Sequence, residues 1–318
     1  MNDRIVVAGA SGFIGKYLVT EYRRQGHTVT TIGRDGADAS WGDTSAITAL
    51  LDGADLLINL AGKSVNCRYT AENRAEILRS RVETTRELAE ALSATSAPPS
   101  LWINSSTATI YRHSEDRAMT ESAGELGEGF SVSIARAWEH EFFATPLPGV
   151  RRVALRMAIV LGDGSALAPL VRLARFGFGG AQWDGRWFST RARREAGTFH
   201  HFRARWGRQR FSWVHIADVL GVIEFVRQRP DLDGVINVSS PKPTDNVTFM
   251  RTLREVLRLP IGIPIPRFVL ELGSIAIRTE TELVLKSRWV IPERLNAAGY
   301  SFHYPAVRDA LANILHRE

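Results

Sequence analysis

The sequence predicts an α/β fold, a doubly wound parallel sheet with helices on both faces and a smaller, helix-rich C-terminal lobe. Three observations predict it. Short apolar strands alternate with helical periods through the first half of the chain. A glycine turn, Gly9-Ala10-Ser11-Gly12-Phe13-Ile14-Gly15, follows the first strand directly and opens a helix. Beyond residue 162 the alternation stops, and Gly, Arg, Trp and Pro interrupt a largely helical pattern.

The first strand is the β-branched run 4–8, and the helix after it spans 12–25. Gly9 allows a tight turn, Gly12 lets a backbone approach a diphosphate, and Gly15 lets the helix pack on the sheet. The free amides and positive dipole end of such a helix suit an anion. Strand, glycine turn and helix in this order mark a dinucleotide site of the Rossmann type; the alternative is a turn used only for packing. The second strand covers 27–32. NAD-binding units place an acid at its end to accept from the ribose hydroxyls, whereas this chain places Gly33-Arg34 there. Arg34 can hold a 2′-phosphate, which favours NADP over NAD; Asp35 beside it argues the other way, and a solvated loop arginine is the alternative reading. A short helix follows at 44–51, then a strand at 55–60, a helix at 71–92, a strand at 100–104, a helix at 130–143 and a strand at 151–160. Ligands lie at the carboxyl ends of such strands. Residues 9–12, 33–34, 61–63 and 105–111 therefore share one rim.

Further on, 166–176 reads as helix, and 177–210 is rich in Gly, Arg, Trp and His. Residues 211–215, 218–228 and 235–238 read as strand, helix and strand, and the tail from about 245 is helix-rich. The expected division is a dinucleotide-binding domain of 1–162 with 211–239, and a substrate lobe of 163–210 with 240–318. Within the lobe, 181–208 is arginine-rich.

Composition narrows the function. The 318 residues are 44% hydrophobic and 23% charged, ordinary for a soluble globular protein. No apolar run approaches the roughly 18 residues of a membrane span, and the chain opens on a strand rather than a signal peptide. We expect no membrane contact and a cytoplasmic location. Cys67 is the lone cysteine, which excludes an intramolecular disulfide and a cysteine-based zinc cluster. The net charge is +6 although lysine occurs only at 16, 63, 242 and 286. No nucleic-acid reader element accompanies this charge. The expected partner is a small-molecule substrate, anionic if the arginines of the insertion clamp it, and the expected state is a monomer or homodimer.

These motifs carry a resemblance to the extended short-chain dehydrogenase/reductases. Residues 9–15 match their cofactor signature, and Asn59-Leu60-Ala61-Gly62 looks like their adenine-side strand end. Ser105-Ser106-Thr107-Ala108-Thr109-Ile110-Tyr111 resembles the active-site strand of nucleotide-sugar epimerases, and Phe211-Ser212-Trp213-Val214-His215-Ile216-Ala217-Asp218-Val219 their later hinge. A closer resemblance is to an atypical branch, the "epimerase family" proteins with a C-terminal domain of unknown function. Its marks here are Ile77-Leu78-Arg79-Ser80-Arg81-Val82, Trp138-Glu139, residues 209–215, Val290-Ile291-Pro292-Glu293-Arg294-Leu295 and Ala298-Gly299-Tyr300-Ser301-Phe302. The resemblance spans nearly the whole chain. It implies an NADP preference, with cofactor roles for Arg34, Asn59, Leu60, Glu76, Arg81 and Arg156. Against that branch, 181–208 looks like an insertion.

One departure matters. Typical members use a tyrosine with a lysine four residues on, which lowers the phenol pKa for proton exchange during hydride transfer. The tyrosines at 17, 22, 69, 111, 300 and 304 are followed at the fourth position by Glu21, Gly26, Asn73, Glu115, Tyr304 and Arg308. The place where the pair belongs holds Val132 and Arg136, and guanidinium cannot serve as a proton shuttle. The remaining catalytic candidates are Thr107, Tyr111 and Lys63. The Thr107 hydroxyl can polarise a carbonyl or bond the backbone, Tyr111 can face the nicotinamide or pack, and Lys63 can supply a cation or lie on the surface. The implied activity is NADP-dependent hydride transfer on a carbonyl or sugar-like substrate. The alternatives are a non-catalytic NADP(H)-binding regulatory module and a nucleotide-sugar epimerase with a rebuilt acid–base set.

Overall fold

The computed structural model describes residues 2–164, 166–185, 187–200, 202, 204–276 and 280–316. Its first half runs β1 (Arg4–Ala8), α1 (Phe13–Arg24), β2 (Thr28–Gly33), β3 (Ala39–Ser40), α2 (Thr44–Leu51), β4 (Leu56–Asn59), α3 (Ala71–Ser93), β5 (Leu101–Thr107), α4 (Phe130–Ala144) and β6 (Arg151–Met157). Then come β7 (Ile159–Leu161), α5 (Leu167–Leu173), α6 (Arg191–Glu195), β8 (Arg210–Phe211), β9 (Trp213–His215), α7 (Ile216–Gln228) and β10 (Gly234–Val238). The tail holds β11 (Thr244–Asp245), α8 (Asn246–Val256), α9 (Arg267–Ala276), α10 (Glu282–Leu285), α11 (Glu293–Ala297) and α12 (Val307–Leu315).

Seven strands form one parallel sheet in the order β10-β6-β5-β4-β1-β2-β3. Its central strands are buried on both faces, so β4 reads Leu-Leu-Ile-Asn without a polar alternation. One face packs Ile5, Val7, Leu18 and Tyr22 with the α7 residues Val219, Val222 and Val226. The other packs Val6, Leu57, Leu88, Trp102 and Phe142. The strand order reverses between β1 and β4, and this reversal opens the crevice that holds ligands in such sheets.

The continuous strand expected over 151–160 is two strands. β6 stays in the sheet, Ala158 N donates to Val238 O, and Ile159 N then turns to Ser212 O. Residues 159–161 leave to pair with β9. The apolar run gives no sign of the break, because both halves are buried. A third core, with Leu161, Val171, Trp213, Phe249, Leu253 and Leu311, lies beyond this departure. The tail is tied back at Asp218, a fully buried carboxylate that accepts from His303 N at 2.7 Å and Tyr304 N at 3.1 Å. Among the described residues no helix is long and apolar enough to cross a membrane.

Candidate functional site: the crevice at the sheet reversal

The glycine turn sits at the reversal. Gly9 has φ +80°, and a Cβ there would meet Ala61 N and Leu60 C at 2.7 Å, so the turn presses on the end of β4. A Cβ on Gly15 would lie 2.6 Å from Gly9 O, which is the close helix–turn packing that the sequence implies. Gly12 differs. It is exposed, its φ of −73° suits any residue, and a Cβ there would meet only Gly9 O, at 3.4 Å. The fold leaves this space open on the solvent side. The N-terminus of α1 has no side-chain cap and no acid in its first turn, so its amides remain available to an anion. Ser11 is exposed beside it, Ile14 packs on the core, and the Phe13 ring reaches a Gly162 that has no room for a Cβ.

At the end of β2, Gly33 O accepts from Trp41 N, and Arg34 projects into solvent, paired with no carboxylate among the described residues. The Asp38 carboxylate is turned back onto Thr31, accepting from its N and Oγ1 at 2.8 Å each. An unpaired guanidinium, an open glycine and an uncapped helix share this rim. They fit the 2′-phosphate and diphosphate of NADP.

Along β4, the Asn59 side chain is fully buried and acts as a clip. Its Nδ2 donates to Asn104 Oδ1 at 2.7 Å and to Thr85 Oγ1 at 3.2 Å, and its Oδ1 accepts from Ala61 N. It therefore shapes the Leu60–Ala61 rim from behind rather than presenting its amide to a ligand. Arg81 on α3 lies under Gly62, donates to Lys63 O and Ile77 O at 3.0 Å, and stacks over Trp138 at 5.0 Å. Burial holds its guanidinium down to about 10, with no carboxylate beside it to offset the loss of water. Such a group favours an incoming anion. Glu76 pairs with Arg79 at 2.7 Å on the α3 surface. The Lys63 backbone is fixed by Ser80 and Arg81, while its ammonium forms no ion pair among the described residues. Cys67 is half-buried, burial pushes its thiol up, and its Sγ leans on Ser64 O. That marks a packed thiol rather than a nucleophile.

At the end of β5, Thr107 Oγ1 accepts from Thr109 N at 3.1 Å, which leaves its own O–H to donate to a ligand. Of the two expectations for Tyr111, facing the nicotinamide or packing, its surroundings correspond to packing. It is 1% exposed, donates to Asn237 Oδ1 and accepts from Arg156 Nη1, both at 2.9 Å. β10 lies beside β6 and draws this phenol inward. Burial raises its pKa, with Arg156 and Asn237 opposing. Arg156 itself is 9% exposed and bidentate to Glu139, at 2.8 and 2.7 Å, and Ser106 Oγ also donates to Glu139. Two of its five N–H groups remain beyond these bonds. Val132 is buried, Arg136 is exposed, and His215 caps α7 by accepting from Ala217 N.

A second polar cluster escaped the sequence reading. Tyr69 lies T-shaped on Phe130, with its hydroxyl 3.5 Å from Ser131 Oγ, and Ser131 donates to Glu282 Oε2 at 2.7 Å. His200 Nε2 stands 3.2 Å from the same carboxylate oxygen. Lys286 Nζ donates to Thr109 O at 2.7 Å, and Arg288 Nε to Thr109 Oγ1 at 3.2 Å. Burial lowers the Lys286 ammonium to about 8. Burial alone would raise the Glu282 carboxyl, but His200, Lys286 and Ser131 hold it down to about 2. Burial likewise lowers His113 to about 4. Five segments distant in the chain build this cluster, and no spacing in the sequence announces it.

The arginine-rich insertion is docked onto this region. Phe202 is stacked between His113 and His200, at 4.8 and 4.9 Å. Gly197 O accepts from Phe130 N, and Arg193 approaches Glu271 and Glu280 at 3.6 and 3.5 Å. Arg191 pairs with Glu195, and Arg210 covers Trp289. Arg193 and Arg210 thus face partners within the protein, whereas Arg191 and Glu195 pair on the surface. Arg186, Arg203 and His201 lie outside the described residues, as does the Arg205 side chain. Of the tryptophans, Trp183 and Trp206 line a cleft of about 340 Å³ against α8, whereas Trp213 is buried in the core.

Comparison with known proteins decides the family. The model of the NAD dependent epimerase/dehydratase family matches residues 5–130, and the domain of unknown function DUF1731 matches 265–314. The epimerase family protein SDR39U1 of Bos taurus is 30% identical over 321 residues, covering 98% of this chain and 99% of that protein. This chain belongs to the epimerase family. Another epimerase family protein, YfhF of Bacillus subtilis, is 28% identical over 98% of the chain and 97% of its own length. The epimerase-family chain also matches the crystal structure of human SDR39U1 (isoform 2) with NADPH, at a TM-score of 0.83 and 27% identity, over 99% of this chain and 100% of that one.

Proposed function

We propose that the protein binds NADP(H) in the crevice and reduces a carbonyl group of a small, sugar-like substrate held beside the nicotinamide. The observation that carries this reading is the rim itself. Arg34 stands unpaired where a 2′-phosphate would lie, next to the open Gly12 and the uncapped end of α1. Gly9, Ser11, Phe13, Ile14 and Gly15 form the diphosphate cradle, with Gly33 and Arg34 reading the ribose phosphate. The Leu60–Ala61 backbone, shaped by Asn59, borders the adenine side. Arg81, together with the remaining donors of Arg156, offers positive charge deeper in the crevice, and Glu76 lies at its α3 edge. The human relative solved with NADPH supports the cofactor. NADPH supplies hydride when bound. The chain's part is to orient the carbonyl, for which Thr107 has a free hydroxyl proton and Lys63 an unpaired cation.

The missing tyrosine–lysine pair and the inward-turned Tyr111 favour a second reading, an NADP(H)-binding module without turnover. Loss of NADPH absorbance with a panel of sugars, quinones and dicarbonyls separates the two. Slow reduction of at least one compound is expected. Tight NADPH binding with no turnover across the panel would replace the enzyme reading by the module.

A further inference from the structure

Resting on the carbonyl-reductase reading, we propose that Tyr69 is the proton donor. Ser131 and Glu282 hold its phenol at the first turn of α4, one residue before the position where the usual tyrosine would stand. The usual tyrosine would stand at 132, where this chain has a buried valine. The loop after β4 returns a phenol to the neighbouring position of the same helix, within 3.5 Å of the Ser131 side chain. That loop follows the rim strand β4, whose end at Gly62 and Lys63 lies over Arg81.

The direction of the hydrogen bonds assigns the proton. Ser131 has one O–H, and at 2.7 Å it is given to Glu282. Tyr69 must therefore donate to Ser131. At 3.5 Å that bond is at the outer limit, so rotation about the phenolic C–O bond releases the proton to a stronger acceptor. A developing alkoxide is such an acceptor.

Burial and the charges nearby keep the phenol protonated. Burial pushes the Tyr69 phenol up to about 12; Glu282 and Glu280 add to this, and Ser131 and Arg288 oppose it. The usual lysine has the opposite effect. The phenol therefore stays protonated at neutral pH and gives its proton only to a stronger base, such as the alkoxide that forms as hydride arrives. In balance, the carbonyl carbon gains hydride from NADPH, the π pair moves to oxygen, and oxygen takes the Tyr69 proton. The substrate becomes an alcohol and NADPH becomes NADP⁺. Glu282 and Ser131 act as positioning residues.

The test uses Tyr69→Phe, which keeps the ring on Phe130 and removes only the hydroxyl. Circular dichroism and NADPH titration should match wild type, while carbonyl reduction falls about 10²–10⁴-fold. A second readout needs no turnover: with tyrosine labelled at Cζ, the Tyr69 resonance should shift when the carbonyl compound joins the NADP⁺ complex. The pH profile gives a third. Wild-type rates should stay free of a phenol ionisation through pH values where Glu282→Gln, which removes the carboxylate facing Tyr69 and leaves Glu280, Arg81 and Arg288, begins to show one. Unchanged reduction by Tyr69→Phe, or an unmoved resonance, would overturn the assignment and leave the reductase reading standing. No reduction by wild type across the panel would overturn both.

Discussion

Glu139→Ala is expected to destabilise the protein by about 3–5 kcal/mol, the range for removing one partner of a buried ion pair. Arg156 lies in the interior with both carboxylate oxygens of Glu139 on its guanidinium. Burial alone would lower its pKa, and Glu139 with Tyr111 raises it instead. Without the carboxylate, the guanidinium cannot escape by losing its proton. The Ser106 hydroxyl loses its acceptor in the same step, and the guanidinium that donates to the Tyr111 phenol is no longer held, since all four groups form one network. Chemical denaturation of wild type and variant measures the loss. A difference below about 1 kcal/mol would mean that the pair behaves like a solvated surface bridge. Replacing Glu139 and Arg156 together by apolar residues should restore part of the stability, because no charge is then stranded.

Gly12→Val is expected to abolish tight NADPH binding without unfolding the chain. The open space at Gly12 accommodates the new side chain within the protein, but the branched carbons stand where a diphosphate must approach. Losing two charge-assisted amide bonds at about 1.5–3 kcal/mol each corresponds to at least about a 10²-fold weaker complex. Gly15→Val supplies the contrast. Its Cβ collides with Gly9 O at 2.6 Å, so this variant should lose stability before binding can be assessed. Thermal unfolding combined with NADPH fluorescence titration distinguishes them. A folded Gly12→Val protein with undiminished affinity would place the dinucleotide elsewhere.

What could be read in the sequence was local. The glycine turn, the β2 end and the alternation of strands and helices each depend on residues close in the chain, and they led to the sheet and the crevice. The split at Ala158 was not legible, because β6 and β7 are equally apolar and only their partner strands differ. Tyr111 looked like a rim residue, since strand position alone says nothing of what β10 brings beside it. Asn59 was legible as a strand-end residue, but its clip needs Thr85 and Asn104 from two other elements. Tyr69 stood among six tyrosines and was set aside for lacking a lysine at the fourth position. Its partner Ser131 comes from α4, and the Glu282 and His200 beyond it come from α10 and the insertion, which no single spacing can encode.

The central claim is that this crevice reads the 2′-phosphate of NADP through Arg34. Calorimetric titration of wild type and Arg34→Ala with NADPH and with NADH tests it most directly. Wild type should prefer NADPH, and the variant should lose about 10- to 100-fold in NADPH affinity, equivalent to about 1.5–3 kcal/mol, while NADH affinity stays nearly constant. Equal losses for the two cofactors, or a wild type that prefers NADH, would contradict it.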